Sequence, residues 1–326
     1  MTKLELGHYL KLRAMLKESL YYSKILLFGE YGIIHDSMGL SIPYNDYNGK
    51  LLFSDTLDEK AVSSNTNLKK FLNHLQVLES KNELPCGLDL DKFAADLDMG
   101  MHFDSSIPQG FGVGSSGAIV AAIYDHYCTE KISSNDQLSN ENFIELKAIF
   151  GNLESYYHGK SSGLDPLICY LNLPILIKSK EELGTVGLPE SNRGKGAIFL
   201  MNTGKTGKTQ PLVQYFMERC KEEGFRNMLK GQFKKYNDAC IDAFLNKKSK
   251  PLLQNMKGLS KIVLENFKPM IPKMYHKLWQ EGIDSNAYYL KLCGSGGGGF
   301  ILGFTEDLEA AKSKLEGYSL NVIHRF

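Results

Sequence analysis

The sequence predicts a two-domain α+β protein. Its 326 residues exceed the usual size of a single hydrophobic core, so two domains are expected. A polar, loop-like stretch at residues 188–196 marks the boundary, which gives domains of residues 1–187 and 188–326. Beyond it, the chain ends in strand, glycine loop, strand, helix and strand, an order typical of a small α+β layer.

Apolar spacing predicts the elements of the first domain. In residues 8–20 the apolar positions recur at helical spacing, which favours a helix packed on its own domain over a partner-binding or membrane-surface helix. An apolar stripe over residues 142–157 predicts another helix. The remaining predictions are a strand at 24–28, helices at 67–79 and 119–128, extended segments with turns over 88–103, and one or two strands over 167–177.

The second domain is predicted to begin with a strand at residues 197–201. Prolines punctuate the following stretch, which is expected to hold three or four helices between about residues 210 and 280. The last elements are strands at 288–292, 300–304 and 320–323 and a helix at 308–315, with a glycine run at 294–299.

Composition and charge argue against several functions. The chain has 38 basic and 37 acidic residues, a net charge of +1, so nothing suggests general attraction to nucleic acid or an anionic membrane. Its six cysteines are scattered without a Cys-x-x-Cys pair, which argues against a zinc site or a disulfide framework. We expect reduced thiols and a cytoplasmic protein, because no signal-peptide core and no apolar run of about 20 residues is found.

Three glycine-rich segments are candidates for binding phosphate. Gly112-x-Gly114-x-x-Gly117 matches the dinucleotide fingerprint, but it lacks the preceding strand and the later acidic residue that this function needs. The segment 204–209 resembles a Walker A loop without its first glycine, so its lysines are expected to be solvated loop charges. In the segment 293–299, five of the six residues 294–299 are glycines, and their entropic cost favours a functional reason.

Two acidic residues flank a loop of small residues. Glu154 lies near the end of a predicted helix, and the loop after it leads to Asp165. Such a pair can hold a metal ion and position a base, although a single acidic residue is usually a solvated surface charge. The glycine loops and an early pair, Lys24 and Glu30, favour the functional interpretation.

Together these segments resemble the three signature motifs of the GHMP kinases, the group of galactokinase, homoserine kinase, mevalonate kinase and phosphomevalonate kinase. Residues 24–35 resemble the first motif, 108–118 the second and 291–299 the third, in the family's order. The segment 158–165, His-Gly-Lys-Ser-Ser-Gly-Leu-Asp, is similar to the mevalonate kinase pattern His-Gly-x-Pro-Ser-Gly-x-Asp. The resemblance implies a ribosomal-S5-like N-terminal domain and a ferredoxin-like α+β C-terminal domain.

The resemblance also implies an activity, namely ATP-dependent phosphorylation of a small-molecule alcohol, with the mevalonate 5-hydroxyl favoured and ATP and Mg²⁺ required. Asp165 and Lys24 would be catalytic, and Ser116 and Glu154 would bind Mg²⁺. Substrate contacts would come from Lys24, Glu30, Tyr31, Asp165 and Gly296, and ATP contacts from Gly110, Gly112, Gly114, Ser115, Ser116, Gly117 and Ala118.

Three positions depart from the mevalonate kinase pattern. Tyr31 stands where these kinases have a substrate-binding histidine, Ser161 replaces the proline, and residues 171–174 replace an expected Gly-Gly. The alternatives are therefore another GHMP kinase acting on phosphomevalonate or a sugar, or an inactive ligand-sensing homologue. The resemblance implies a homodimer, and we expect neither nucleic-acid nor membrane partners.

Overall fold

The computed structural model describes residues 19–54, 58–207 and 209–326, which form two compact units. The first consists of the described residues up to Lys24, Asn45–Ile107 and Gly114–Asn172; the second consists of Ile25–Tyr44, Pro108–Val113 and Leu173–Phe326. The boundary between residues 187 and 188 stays a prediction, because each unit is built from several separate segments of the chain. The helix predicted at 8–20 lies outside the described residues, apart from its last two positions.

The first unit is mainly helical. Strand β3 (Met101–Ser105) pairs antiparallel with residues 49–53 of the long strand β2 (Gly39–Phe53). The buried rings of Tyr124, Phe150 and Tyr170 contact one another in its core. The helices are α1 (Glu59–Ser80), α2 (Leu90–Asp98), α3 (Ser115–Tyr127), α4 (Asn140–His158) and α5 (Leu164–Leu171).

The helices of this unit begin in two different ways. Asp58, Asp89 and Ser139 cap α1, α2 and α4 through their side chains, as these residue types usually do. In contrast, α3 and α5 follow Gly114 and Gly163, which adopt the left-handed backbone with φ of 86° and 73° and supply no side-chain cap. The first turns of α3 and α5 are therefore available to other groups.

In the second unit, strand β4 (Ile175–Ile177) pairs with residues 39–41 of β2 and with β5 (Leu183–Thr185). Four further strands are β6 (Ala197–Asn202), β7 (Tyr289–Leu292), β8 (Phe300–Thr305) and β9 (Leu320–Arg325). They form an antiparallel sheet in the order β7-β8-β6-β9. The helices are α6 (Thr209–Arg219), α7 (Glu223–Met228), α8 (Lys234–Leu245), α9 (Ser249–Asn266), α10 (His276–Ser285) and α11 (Leu308–Lys314).

Short helical turns complete the described chain. A π-helical turn, Leu229–Phe233, joins α7 to α8, and 3-10 turns lie at Gly32–His35, Lys268–Met270 and Lys273–Tyr275. Strand β1 (Tyr21–Phe28) and strand β2 both continue from one unit into the other along the chain. In the part of the chain that is described, no helix is both long and apolar enough to cross a bilayer.

The predicted α+β class is confirmed, but two element predictions are only partly correct, since strand occupies just 101–103 of one stretch and 175–177 of the other. The stretch 88–103 holds helix α2 before β3, because Asp89 accepts a hydrogen bond from the Lys92 amide and caps a helix there. The stretch 167–177 begins in helix α5, whose residues are almost all buried. A short apolar run cannot by itself distinguish a buried helix from a strand. The long strand β2 was not predicted, since polar residues 45–49 interrupt its apolar pattern.

Candidate active site

An ion pair between Lys24 and Asp165 lies at the centre of the candidate site in the first unit. The Lys24 Nζ atom is 2.8 Å from Asp165 Oδ1. The lysine side chain is only 3% exposed, whereas the aspartate side chain is 37% exposed. Asp165 belongs to the first turn of α5, and Gly114, which precedes α3, packs against the lysine stem. A carboxylate open to solvent is thus held by a buried cation.

Two glycines explain why Asp165 takes this position. A Cβ at Gly163 would lie 1.9 Å from the Lys147 carbonyl oxygen on α4, so α5 begins in direct contact with that helix. A Cβ at Gly117 would lie 2.8 Å from the Asp165 carbonyl carbon. The backbones of α3 and α5 therefore approach more closely than any larger residue permits.

We expect Gly117→Ala to destabilise the protein by about 1–3 kcal/mol and to displace Asp165, because the added methyl meets backbone rather than a movable side chain. Chemical denaturation would measure the free energy of unfolding. Gly224→Ala is the matched control, since Gly224 is helical and nothing lies within 4 Å of its added Cβ. Equal stability of the two variants would contradict the close-contact argument.

Glu154 forms the second part of the site together with three neighbouring side chains. The Ser116 hydroxyl donates to Glu154 Oε1 at 2.8 Å, and the Ser161 hydroxyl donates to Oε2 at 2.5 Å. His158 Nε2 lies 3.0 Å from Ser116 Oγ. When Ser116 gives its proton to the ionised carboxylate, His158 Nε2 must carry a proton to hydrogen-bond to Ser116.

Burial controls the ionisation of this cluster. Burial, and after it the nearby charge of Asp165, raise the pKa of Glu154 to about 7, although the two serine hydroxyls and Lys24 oppose the shift. Burial also lowers the pKa of His158. The site thus contains a carboxylic acid that changes charge near neutral pH.

The donor set of Glu154 and Ser116 suits a hard cation. Both supply oxygen, the ligand that Mg²⁺ prefers, and other ligands would have to complete the coordination shell. Among the described residues, no group of three or more His, Cys, Asp and Glu side chains could hold a metal ion. The pair therefore fits a cation that arrives with oxygen ligands of its own, such as phosphate and water.

In the second unit, residues 108–113 of the second motif contact other glycine-rich backbone. Gly110 and Gly112 have φ of 76° and 78°. A Cβ at Gly112 would lie 2.6 Å from the Cys293 carbonyl oxygen, and one at Gly299 would lie 2.5 Å from Phe111 Cα. The glycines of the second and third motifs thus permit a direct backbone contact.

The turn at residues 204–207, which resembles an incomplete Walker A loop, contacts both glycine motifs. The Gly207 amide donates to the Gly110 carbonyl at 2.9 Å, and the Gly299 amide donates to the Lys205 carbonyl at 2.5 Å. The Thr203 hydroxyl donates to the Gly299 carbonyl at 2.7 Å. The sequence signal for this role is Asn202-Thr203 followed by a turn rich in Lys and Thr, which is similar to an Asn-Thr segment of mevalonate kinases; Lys208 itself lies outside the described residues.

The first motif contributes a buried ion pair to the second unit. Lys291 Nζ is 2.5 Å from Glu30 Oε2, and the two side chains are only 4% and 6% exposed. Sequence reasoning identified Glu30 but missed Lys291 as its partner. The pair lines a cavity of about 10 Å³, which has room for about one water molecule.

Tyr31 is held in place by the same unit. Its hydroxyl donates to the Ser295 carbonyl at 2.8 Å, and its ring lies 4.6 Å from the ring of Phe216. Its φ of 60° is a left-handed conformation that costs energy for a residue with a side chain. Burial raises the pKa of the phenol, so the hydroxyl remains a hydrogen-bond donor.

We expect Lys291→Met to lower the free energy of unfolding by about 3–5 kcal/mol, because it removes the cation that neutralises buried Glu30. Adding Glu30→Gln should restore part of that loss. Urea unfolding would measure both effects. The control is Lys178→Met, which removes an exposed pair with Glu182 and should cost about 1 kcal/mol or less. A similar cost for the two lysine variants would refute this expectation.

The structure thus distributes the predicted site residues over the two units. In the first, Lys24, Asp165, Ser116 and Glu154 lie together, with Gly114 and Gly117 shaping the contacts. Ser115 and Ala118 belong to the first turn of α3. The second unit contains Glu30, Tyr31, Gly110, Gly112 and Gly296, the last of which packs against the Met270 carbonyl.

A family model matches part of the chain, and solved structures share its fold. Residues 74–172 match the GHMP kinases N terminal domain. L. major mevalonate kinase in complex with R-mevalonate is 14% identical, with 94% of this chain and 95% of that chain covered and a TM-score of 0.58. No curated protein sequence matches the chain.

Two further solved structures share the fold at similar identity. Streptococcus pneumoniae phosphomevalonate kinase in complex with phosphomevalonate and AMPPNP is 14% identical, covers 94% of this chain and 99% of its own, and has a TM-score of 0.61. Lactococcus lactis galactokinase complexed with galactose is 12% identical over 98% of each chain, with a TM-score of 0.59. The three structures carry different acceptors, so their likeness defines the fold and not a substrate.

Proposed function

We propose that the chain is a GHMP kinase that transfers the γ-phosphoryl group of ATP to the hydroxyl of a small-molecule alcohol, since residues 74–172 match the GHMP kinases N terminal domain. The observation on which this proposal rests is the ion pair of buried Lys24 with half-exposed Asp165. This pair combines a proton acceptor with a fixed positive charge, the two things that phosphoryl transfer to a hydroxyl requires from protein side chains.

The start of α3 is proposed to bind the phosphates. Its first-turn amides have no partner within the helix, its N-cap Gly114 supplies no side chain, and no acidic residue lies in the first turn. The positive end of the helix favours an anion there by about 0.3–1 kcal/mol at an exposed site. Gly114 and Gly117 let the backbone at the start of α3 approach the phosphate oxygens closely.

Asp165 is proposed to receive the proton of the acceptor hydroxyl. As the hydroxyl oxygen bonds to the γ-phosphorus, the bond to the β–γ bridging oxygen breaks and ADP leaves. Lys24, 2.8 Å from Asp165, would stabilise the negative charge that moves with the phosphoryl group. Glu154 and Ser116 would hold Mg²⁺, which neutralises phosphate charge when bound.

Mevalonate is the acceptor we propose first, because residues 158–165 follow the mevalonate kinase pattern except at Ser161. This activity would supply isoprenoid precursors, and we propose with it a cytoplasmic homodimer. One observation favours a second candidate: the Tyr31 hydroxyl is bonded to Ser295 and its ring is buried, so it does not offer the contact of a histidine. Another acceptor of the family, phosphomevalonate or a sugar, is the alternative.

The deciding experiment measures ADP release from ATP and Mg²⁺ with mevalonate, phosphomevalonate, galactose or homoserine. We expect mevalonate to accelerate ADP release by the wild-type protein and not by Asp165→Asn. Acceleration by another alcohol would support the proposed kinase activity but assign it a different substrate. If ATP binds but none of the four accelerates release, the inactive ligand-sensing homologue is the better interpretation.

A further inference from the structure

Ser161 stands where the mevalonate kinase pattern has a proline, and its hydroxyl contacts the buried carboxylate of Glu154. We infer that Ser161 is a positioning residue that orients Glu154 for the cation. The inference rests on the proposed function, in which Glu154 and Ser116 hold Mg²⁺. It concerns a task that proline cannot perform, since proline has neither a hydroxyl nor an amide proton.

The hydrogen bonds around Ser161 determine where its hydroxyl lies. Its amide donates to Ser155 Oγ at 3.2 Å, and Ser155 in turn donates to the Gly151 carbonyl on α4 at 2.7 Å. The Ser161 oxygen accepts from the Gly163 amide at 3.0 Å while its proton goes to Glu154. Ser161 is therefore tied on one side to α4 and on the other to the start of α5.

This arrangement assigns separate partners to the two oxygens of Glu154. Oε2 accepts from Ser161 at 2.5 Å, and Oε1 accepts from Ser116 at 2.8 Å. Because Ser161 fixes one end of the carboxylate, the other end is directed at Ser116, the second proposed cation ligand. Hydrogen bonds of this kind orient metal ligands, and their loss typically weakens metal affinity or activity by about 10–100-fold.

A purely structural role for Ser161 makes a different prediction. If its hydroxyl only stabilised the loop between α4 and α5, its removal would lower stability and leave cation binding unchanged. Ser162 is the matched control in the same loop, because its hydroxyl accepts only a long 3.4 Å hydrogen bond from the Leu164 amide. Ser161→Thr keeps a hydroxyl and tests whether that group is what matters.

The test measures, by electron paramagnetic resonance, the affinity of the full chain for Mn²⁺ in the presence of AMPPNP. Thermal unfolding of each variant measures its stability in parallel. We expect Ser161→Ala to weaken Mn²⁺ binding about 10-fold, Ser162→Ala to change it less than twofold, and Ser161→Thr to restore most of it. In steady-state kinetics, the Mg²⁺ concentration at half-maximal rate should rise more than kcat falls.

The outcomes separate this inference from the proposed function. If the wild type binds Mn²⁺ more tightly than Glu154→Gln but Ser161→Ala matches the wild type, the positioning role is wrong and the proposed cation ligand stands. If Glu154→Gln binds as the wild type does, the proposed cation site and the inference both fail. A stability loss in Ser161→Ala with unchanged Mn²⁺ affinity would also overturn the positioning role.

Discussion

Asp165→Asn is expected to lower turnover by a factor of about 10²–10⁴, the usual contribution of a positioned proton acceptor. The amide has almost the same shape as the carboxylate and still offers an oxygen to Lys24. It cannot take up the proton of an acceptor hydroxyl at neutral pH. Since the second motif, residues 108–118, is unchanged, the affinity for AMPPNP measured by calorimetry should change little.

The control for this variant is Asp98→Asn, which alters a 76% exposed carboxylate on α2 in the same unit. Its turnover and AMPPNP affinity should equal those of the wild type. Near-normal turnover of Asp165→Asn would remove Asp165 from the mechanism. A loss of AMPPNP binding together with the loss of turnover would instead indicate that the substitution disturbs the contact between α3 and α5.

Glu154→Gln is expected to change both the pH dependence of stability and the cation requirement. Burial raises the pKa of Glu154 to about 7, whereas an unfolded glutamate titrates near 4.3. Between these values the folded state binds more protons than the unfolded state, so the free energy of unfolding decreases as pH rises through the window. At 1.36 kcal/mol per pKa unit, the shift from 4.3 to about 7 corresponds to a penalty that approaches about 4 kcal/mol above pH 7.

The glutamine variant removes this titration. We expect it to be more stable than the wild type at pH 8, to differ much less below pH 4.5, and to lose most of the Mg²⁺-dependent activity. Urea unfolding from pH 4 to 8 would measure the first two effects, with Glu145→Gln on the exposed face of α4 as the control. An identical pH slope for the wild type and Glu154→Gln would show that Glu154 does not titrate in this range.

The site residues could be predicted because they belong to short segments of distinctive composition. The glycine motifs and the 158–165 segment are local, and each suggests its chemistry from residue type alone. In the sequence, Ser161 is only a departure from the mevalonate kinase pattern, and that departure does not predict its role. Its hydroxyl matters because the loop returns to α4 and meets Glu154 there.

The fold was predictable where amphipathic periodicity was clear and not where apolar residues run together. The stripe in 142–157 lies within helix α4, which spans Asn140–His158. The apolar stretch 167–177 predicts one or two strands, but packing against α3 and α4 makes residues 164–171 a helix, and strand is found only at 175–177. The strand β2 was missed since its pairing partners, not its own pattern, define it.

By itself, the sequence determined the fold class, the order of the motifs and the chemical groups that each can offer. Only the tertiary structure decided which groups meet: Lys24 with Asp165, Ser161 with Glu154, and Glu30 with Lys291 across 261 positions of the chain. It also decided that Glu154 is buried and titrates near neutral pH. The physical reason is that pairing and desolvation depend on contacts between distant segments, whereas residue type and periodicity are local.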